Sequence, residues 1–173
     1  MGARMTPLEL DNPFWQFSLH VYAAPGVAPE CLALQDEVGI DVNVWLFAAW
    51  FGLQGMVIAP DDLTRIAEVA APWTRDVVKP LRQVRRHLKP LSSGDAVVQE
   101  LRKRVADAEL FAEQVEQARL YAIAGSLGAN ASAPGIAAAQ ANTVMILTAS
   151  GSSSPSIPLK GFWAGCAAYV LNR

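Results

Sequence analysis

Helix start and stop residues fall about one helix length apart along most of this chain, and no stretch between them alternates with the period of a strand. Asn12 followed by Pro13 is an N-cap and N1 pair, which opens a helix over FWQFSLHVY until APGVAPE breaks it. Pro29 can serve as N1 of a second helix, ECLALQDEV, stopped by Gly39 at the C′ position. Asp41 is an N-cap for VNVWLFAAWFGLQ, which Gly55 closes, and Pro60-Asp61-Asp62 opens DLTRIAEVA. Pro72 then either kinks that helix or starts another, WTRDVVKPLRQVRRHLK, within which Pro80 is a second bend or start. Pro90 and SSG end it. The longest helix is expected from 95 to 125, with Val97, Leu101, Val105, Ala108, Ala112 and Val115 at steps of three and four. After a GSLGANASAPG loop comes a helix over 135–149. The expectation is an all-α fold, a compact bundle of about six or seven helices. Residues 1–150 form the helical domain, and 151–173 a flexible Ser/Pro linker with a short apolar tail, FWAGCAAYVLN, that docks on the body.

The chain's 173 residues are 52% hydrophobic and 17% charged, enough to bury a sizeable core in one domain. A net charge of −2 gives no global bias toward nucleic acid, so any basic surface is local. Cys31 and Cys166 lie far apart and no CxxC occurs, which excludes a cysteine-only metal cluster and favours a reduced pair over a disulfide. The N-terminus carries no apolar leader, and a cytoplasmic protein is expected. A spanning helix needs roughly 20 apolar residues. The apolar stretches 42–59 and 135–149 are interrupted or short, so both read as buried helices and no transmembrane segment is expected.

The clearest patterning lies between Thr74 and Pro90. Trp73, Val77, Leu81, Val84 and Leu88 share one face of a helical wheel; Arg75, Lys79, Arg82, Arg86 and Lys89 share the other, with Arg85 nearby. Such a strip either contacts an anionic molecule or an acidic partner, or it is satisfied by the chain itself. For the second case the sequence offers Glu109, Glu113 and Glu116, spaced i, i+4, i+7 on the next helix. No nucleic-acid module accompanies the strip.

A second cluster, Gln35, Asp36, Glu37, Asp41 and Asn43, interrupts an apolar neighbourhood. Asp41 is explained as a cap. Asp36 and Glu37 oppose the dipole at a helix C-terminus, so they need a partner. Arg82, Arg85 and Arg86 are the obvious ones. Gln35, Asp36, Asp41 and Asn43 are therefore expected to form a polar corner facing the arginines, either as a structural network or as a binding site.

No catalytic residue is assigned. His20 and His87 are isolated, a Cys31/His20 pair rests on residue type alone, and Asp61-Asp62 is better explained by capping than as half of a diphosphate–magnesium motif. No ExxH, phosphate-binding loop, dinucleotide fingerprint or nucleophile elbow occurs, so neither a metal nor a cofactor is expected.

The string FW-x-FSL-x-VY, then PGV, CL-x-LQD, G-x-DVN, Trp73, VVKPLRQVRRHLK and AELFAEQVEQARL resembles a family of small bacterial proteins, domain of unknown function 2390. The resemblance covers roughly residues 13–125 and implies an all-helical cytoplasmic protein without a known activity. Residue types typical of that family fall on Gln35, Asp36, Asp41, Asn43, Arg82, Arg85 and Arg86. The first functional expectation is a non-enzymatic binding or adaptor protein that meets a protein partner through the polar corner and the arginine strip. The alternative is an enzyme or small-molecule binder with an all-α pocket for an anionic ligand, lined by the same residues and by aromatics such as Trp15 and Trp45. A weaker reading is membrane attachment through the apolar tail and the basic strip. The oligomeric state is left open.

Overall fold

Asn12 caps the first helix: its side chain accepts from the Trp15 amide at 2.9 Å and Pro13 takes the first helical position. Helix α1 spans Pro13–Tyr22. Helix α2, Val27–Ala33, begins two residues before Pro29, because Gly26 at φ 85 turns the chain into it. Pro29 then lies in the first turn, where its missing N–H had no partner to lose. The helix runs on through a π turn, Leu34–Val38, and stops at Gly39, whose φ of 77 needs a residue without Cβ. Asp41 caps α3, Val42–Leu53, by accepting from the Asn43 amide at 3.0 Å.

The prolines of the next segment do not divide it. Helix α4, Pro60–Trp73, passes through a π turn, Thr74–Val78, into α5, Lys79–Leu91. The Lys79 amide bonds back to the Thr74 carbonyl, five residues away, so one extra residue is accommodated just before Pro80. Asp62 completes the cap of α4, accepting from the amides of Ala59 at 2.9 Å and Gly128 at 2.8 Å. Helix α6, Ala96–Ala124, starts on Asp95, whose side chain accepts from Val97 and Val98. Helices α7, Ile136–Ala149, and α8, Lys160–Leu171, complete an all-α bundle.

The computed structural model describes residues 7–130, 135–152 and 158–172. Among them the helices form seven continuous rods. Residues 1–6 of the N-terminal stretch, 131–134 of the glycine-rich loop and 153–157 of the Ser/Pro linker lie outside the described residues. A two-residue antiparallel ladder, β1 (Met56–Val57) on β2 (Ala129–Asn130), is too short to leave a pattern in the sequence.

Helix α3 is the axis of the core. Trp45 through Gly52 are all buried. Gly52 lets α7 approach so closely that a Cβ there would lie 2.3 Å from the Ala139 nitrogen. Asn142 on α7 is 0% exposed and ties this contact together. It accepts from Ile58 at 2.9 Å and donates to the carbonyls of Ala48 at 3.2 Å and Met56 at 2.9 Å. Helix α8 docks on α1 and α2 through Phe162, Gly165 and Cys166. Glu30 fixes its start by accepting from the amides of Gly161 and Phe162. Both cysteines are free and buried. Among the described residues, no helix is long and apolar enough to cross a membrane.

One expectation is corrected in α6. The apolar stripe at Val97 and Leu101 is exposed, at 80% and 50%. Ala112 of the expected stripe is buried, but the rest of the buried face includes Glu109, Glu116, Gln117 and Leu120, which lie outside it. Helix α5, which lies beside α6, covers the side that holds its acids.

Candidate functional site

Three segments meet at the start of α3: the first π turn and its exit (residues 35–41), the second π turn (residues 74–78), and the middle of α6. Thr74 stands between two carboxylates. Its hydroxyl lies 2.6 Å from Asp41 Oδ2 and 3.0 Å from Glu116 Oε1. Asn43 donates through Nδ2 to Glu116 Oε2 at 3.1 Å and accepts from Gln117 Nε2 at 2.8 Å. Glu116 is 0% exposed. Burial first, and the nearby Asp41 charge second, push its carboxyl up to about 9. At neutral pH the Glu116 carboxyl therefore keeps its proton.

The arginines divide. Arg82 donates through Nε to Glu109 at 2.9 Å and through Nη2 to Glu113 at 2.7 Å. Arg85 donates to both oxygens of Glu109. Burial works to raise the Glu109 carboxyl, but hydrogen bonds from Arg85 and Arg82 outweigh it and hold it below the usual range. For Glu113 burial wins, and its carboxyl is raised. Arg86 alone meets the corner from outside, 3.0 Å from Asp36, with both side chains about half exposed. Gln35 donates to the same aspartate at 3.3 Å. Hydrogen bonds from Arg86 and then Gln35 hold the Asp36 carboxyl below its ordinary value.

The four polar residues of the corner thus fall into two groups. Gln35 and Asp36 sit at the surface with Arg86, while Asp41 and Asn43 turn inward to Thr74, Glu116 and Gln117. Of the three glutamates available to the strip, Glu109 and Glu113 take Arg82 and Arg85, so these two arginines do not form an open contact face. Glu116 binds Thr74 and Asn43. Thr74 and Gln117 were not legible as members of this cluster, since an isolated Thr or Gln in a helical run carries no signal.

A cavity of about 260 Å³ opens between the two π turns, lined by Gln35, Asp41, Thr74, Lys79 and Arg82 among others. Its charged groups are two cations and one anion, with Arg82 already bonded to Glu109 and Glu113. No carboxylate among the described residues pairs with Lys79. The aromatics expected beside these residues are elsewhere. Trp45 is core, 6.0 Å from the Phe162 ring, and Trp15 lines a separate cavity beyond Val42. His20 packs edge-on against Tyr169, and burial pushes the Cys31 thiol up to about 12, which disfavours a thiolate nucleophile there. Among the described residues no three His, Cys, Asp or Glu side chains converge as a metal site would require.

Comparison with known proteins gives one family. Residues 13–120, from α1 to near the end of α6, match the family described as protein of unknown function (DUF2390), and the chain belongs to it. No curated protein and no solved structure matches. The matched span contains every residue that lines the two cavities on either side of Val42, whereas α7 and α8 lie beyond it.

Proposed function

We propose that this DUF2390 protein is a binding protein, and that the cavity between its two π turns holds a small molecule with an anionic group. The observation that carries the reading is that both π turns border the same cavity. A π turn sacrifices regular helix geometry and recurs where a helix shapes a site. Here each π turn contributes one lining side chain, Gln35 from the first and Thr74 from the second. Lys79 supplies a point charge, Arg82 is held in place by its two glutamates, and Asp41 accepts from a donor on the same ligand.

Native mass spectrometry of the protein purified gently from its own host tests this. An adduct of a few hundred daltons that is lost on denaturation, and absent from Lys79→Glu, supports it. A tightly bound protein in its place supports a second reading, an adaptor. That reading is favoured by the exposed Val97, Leu101 and Leu91 near the α5–α6 connection and by the exposed Arg86–Asp36 pair. An adduct that survives Lys79→Glu unchanged refutes the anion site.

A further inference from the structure

The cavity beyond Val42 is distinct from the anion site, although the two share Val42 and the Arg82–Glu113 pair, and it has the opposite chemistry. It holds about 180 Å³ between α1, α3 and α6. Its walls are Trp15, Leu19, Tyr22, Leu46 and Leu110. An apolar cavity of roughly 150 Å³ holds a benzene ring, so this one fits a ring with a short side chain. Leu19, Tyr22 and Leu110 are exposed at 46%, 39% and 53%, which leaves an apolar mouth open to solvent.

The polar lining decides what kind of ring compound fits. The donors with assigned bonds are directed at the protein. Ser18 donates to the Phe14 carbonyl at 3.1 Å, Gln117 Nε2 to Asn43, and Asn43 Nδ2 to Glu116. The acceptors are not all used. Gln117 is 3% exposed, and its Oε1 has no hydrogen-bond partner among the described residues. A buried acceptor left in that state is costly, and a ligand donor would relieve the cost. Glu113 adds a carboxylate at the same lining, bonded on one side only to Arg82. The rings of Trp15 and Tyr22 add aromatic faces that attract a cation.

We propose that this cavity binds a small primary amine with a ring-sized apolar body. The ring sits between Trp15, Leu46 and Leu110, and the ammonium group lies between Gln117 Oε1 and the Glu113 carboxylate. An anion of the same shape is rejected, because it would face acceptors on the floor and a carboxylate beside them.

Isothermal titration with 2-phenylethylamine and with phenylacetate tests the assignment, since the two share a body and differ in head-group charge. The amine is expected to bind one-to-one and at least about tenfold more tightly than the acid. Glu113→Gln should weaken the amine by about the same factor. Leu110→Trp, a substitution at the exposed mouth, should abolish binding while the helical circular dichroism is unchanged. If Glu113→Gln unfolds the chain, Leu110→Trp alone decides. Equal affinity for the two compounds, no amine binding at millimolar concentration, or amine binding undiminished in Leu110→Trp overturns the proposal. The anion site stands or falls separately, because Lys79 does not line this cavity.

Discussion

Replacing Glu116 by Gln should make this protein more stable at neutral pH, although it removes a buried acid with three polar neighbours. The wild-type carboxyl has an ordinary value of 4.5 and is pushed up to about 9 in the fold, by burial and by Asp41. Above 4.5 the unfolded chain releases its proton freely while the folded chain keeps it. The folded value is the raised one, so the stabilisation is complete below 4.5 and is lost as pH climbs toward 9. By pH 7 the loss is about 3 kcal/mol, and its slope is about 1.4 kcal/mol per pH unit. Glutamine matches the protonated acid in shape and in bonding: its amide nitrogen can donate toward Asp41 and Thr74, and its oxygen accepts from Asn43 Nδ2. It has no proton to release. Urea denaturation of both proteins at about pH 5, 7 and 8.5 reads the difference. The two should be similar at pH 5 and diverge in favour of Glu116→Gln as pH rises. Parallel stability profiles, or a variant weaker than wild type at pH 8.5, would mean that Glu116 is ionised in the fold, and the assignment of a proton to it would be wrong.

Other substitutions separate structural from exposed groups. Arg82→Ala leaves Glu109 and Glu113 short of a cation and should cost about 2–4 kcal/mol, whereas Arg86→Ala, at a half-exposed pair, should cost less than about 1 kcal/mol in the same denaturation assay. Equal costs would contradict the division of the arginines. Gly52→Ala drives a methyl group into the α7 backbone and should cost about 1–3 kcal/mol or more, seen as a fall in Tm; an unchanged Tm would mean that α3 and α7 are not in that contact. Burial pushes both thiols up to about 12, so neither Cys31 nor Cys166 should react with an aromatic disulfide reagent near pH 8 until the chain is unfolded.

Much of the architecture is written locally. Asn12, Asp41 and Asp95 begin helices because a short polar side chain can satisfy amides two or three residues on, and that geometry needs no distant partner; Asp62 reaches back three residues to the Ala59 amide. Gly39 ends one because only glycine takes its backbone angle without strain. The spacing of Glu109 and Glu113 opposite the arginines also shows in the sequence, since charge periodicity on two consecutive helices restricts how an antiparallel pair can dock.

What the sequence could not supply is which face each helix buries and where its regularity breaks. Periodicity groups Val97 and Leu101 on one face of α6, but burial requires a neighbour to cover that face, and α5 lies over the acids instead. The π turns depend on one extra residue being absorbed between Pro72 and Pro80 and before Gly39, which short-range propensity does not encode. Asp41 and Glu116 are 75 positions apart and Asn43 and Gln117 are 74 apart. The raised Glu116 carboxyl, these bonds and the cavities beside them exist only once α3, α6 and the second π turn close on one another. The chain determined its helices through contacts within a turn; the site came from packing, because a buried charge takes its protonation from whatever the fold sets next to it.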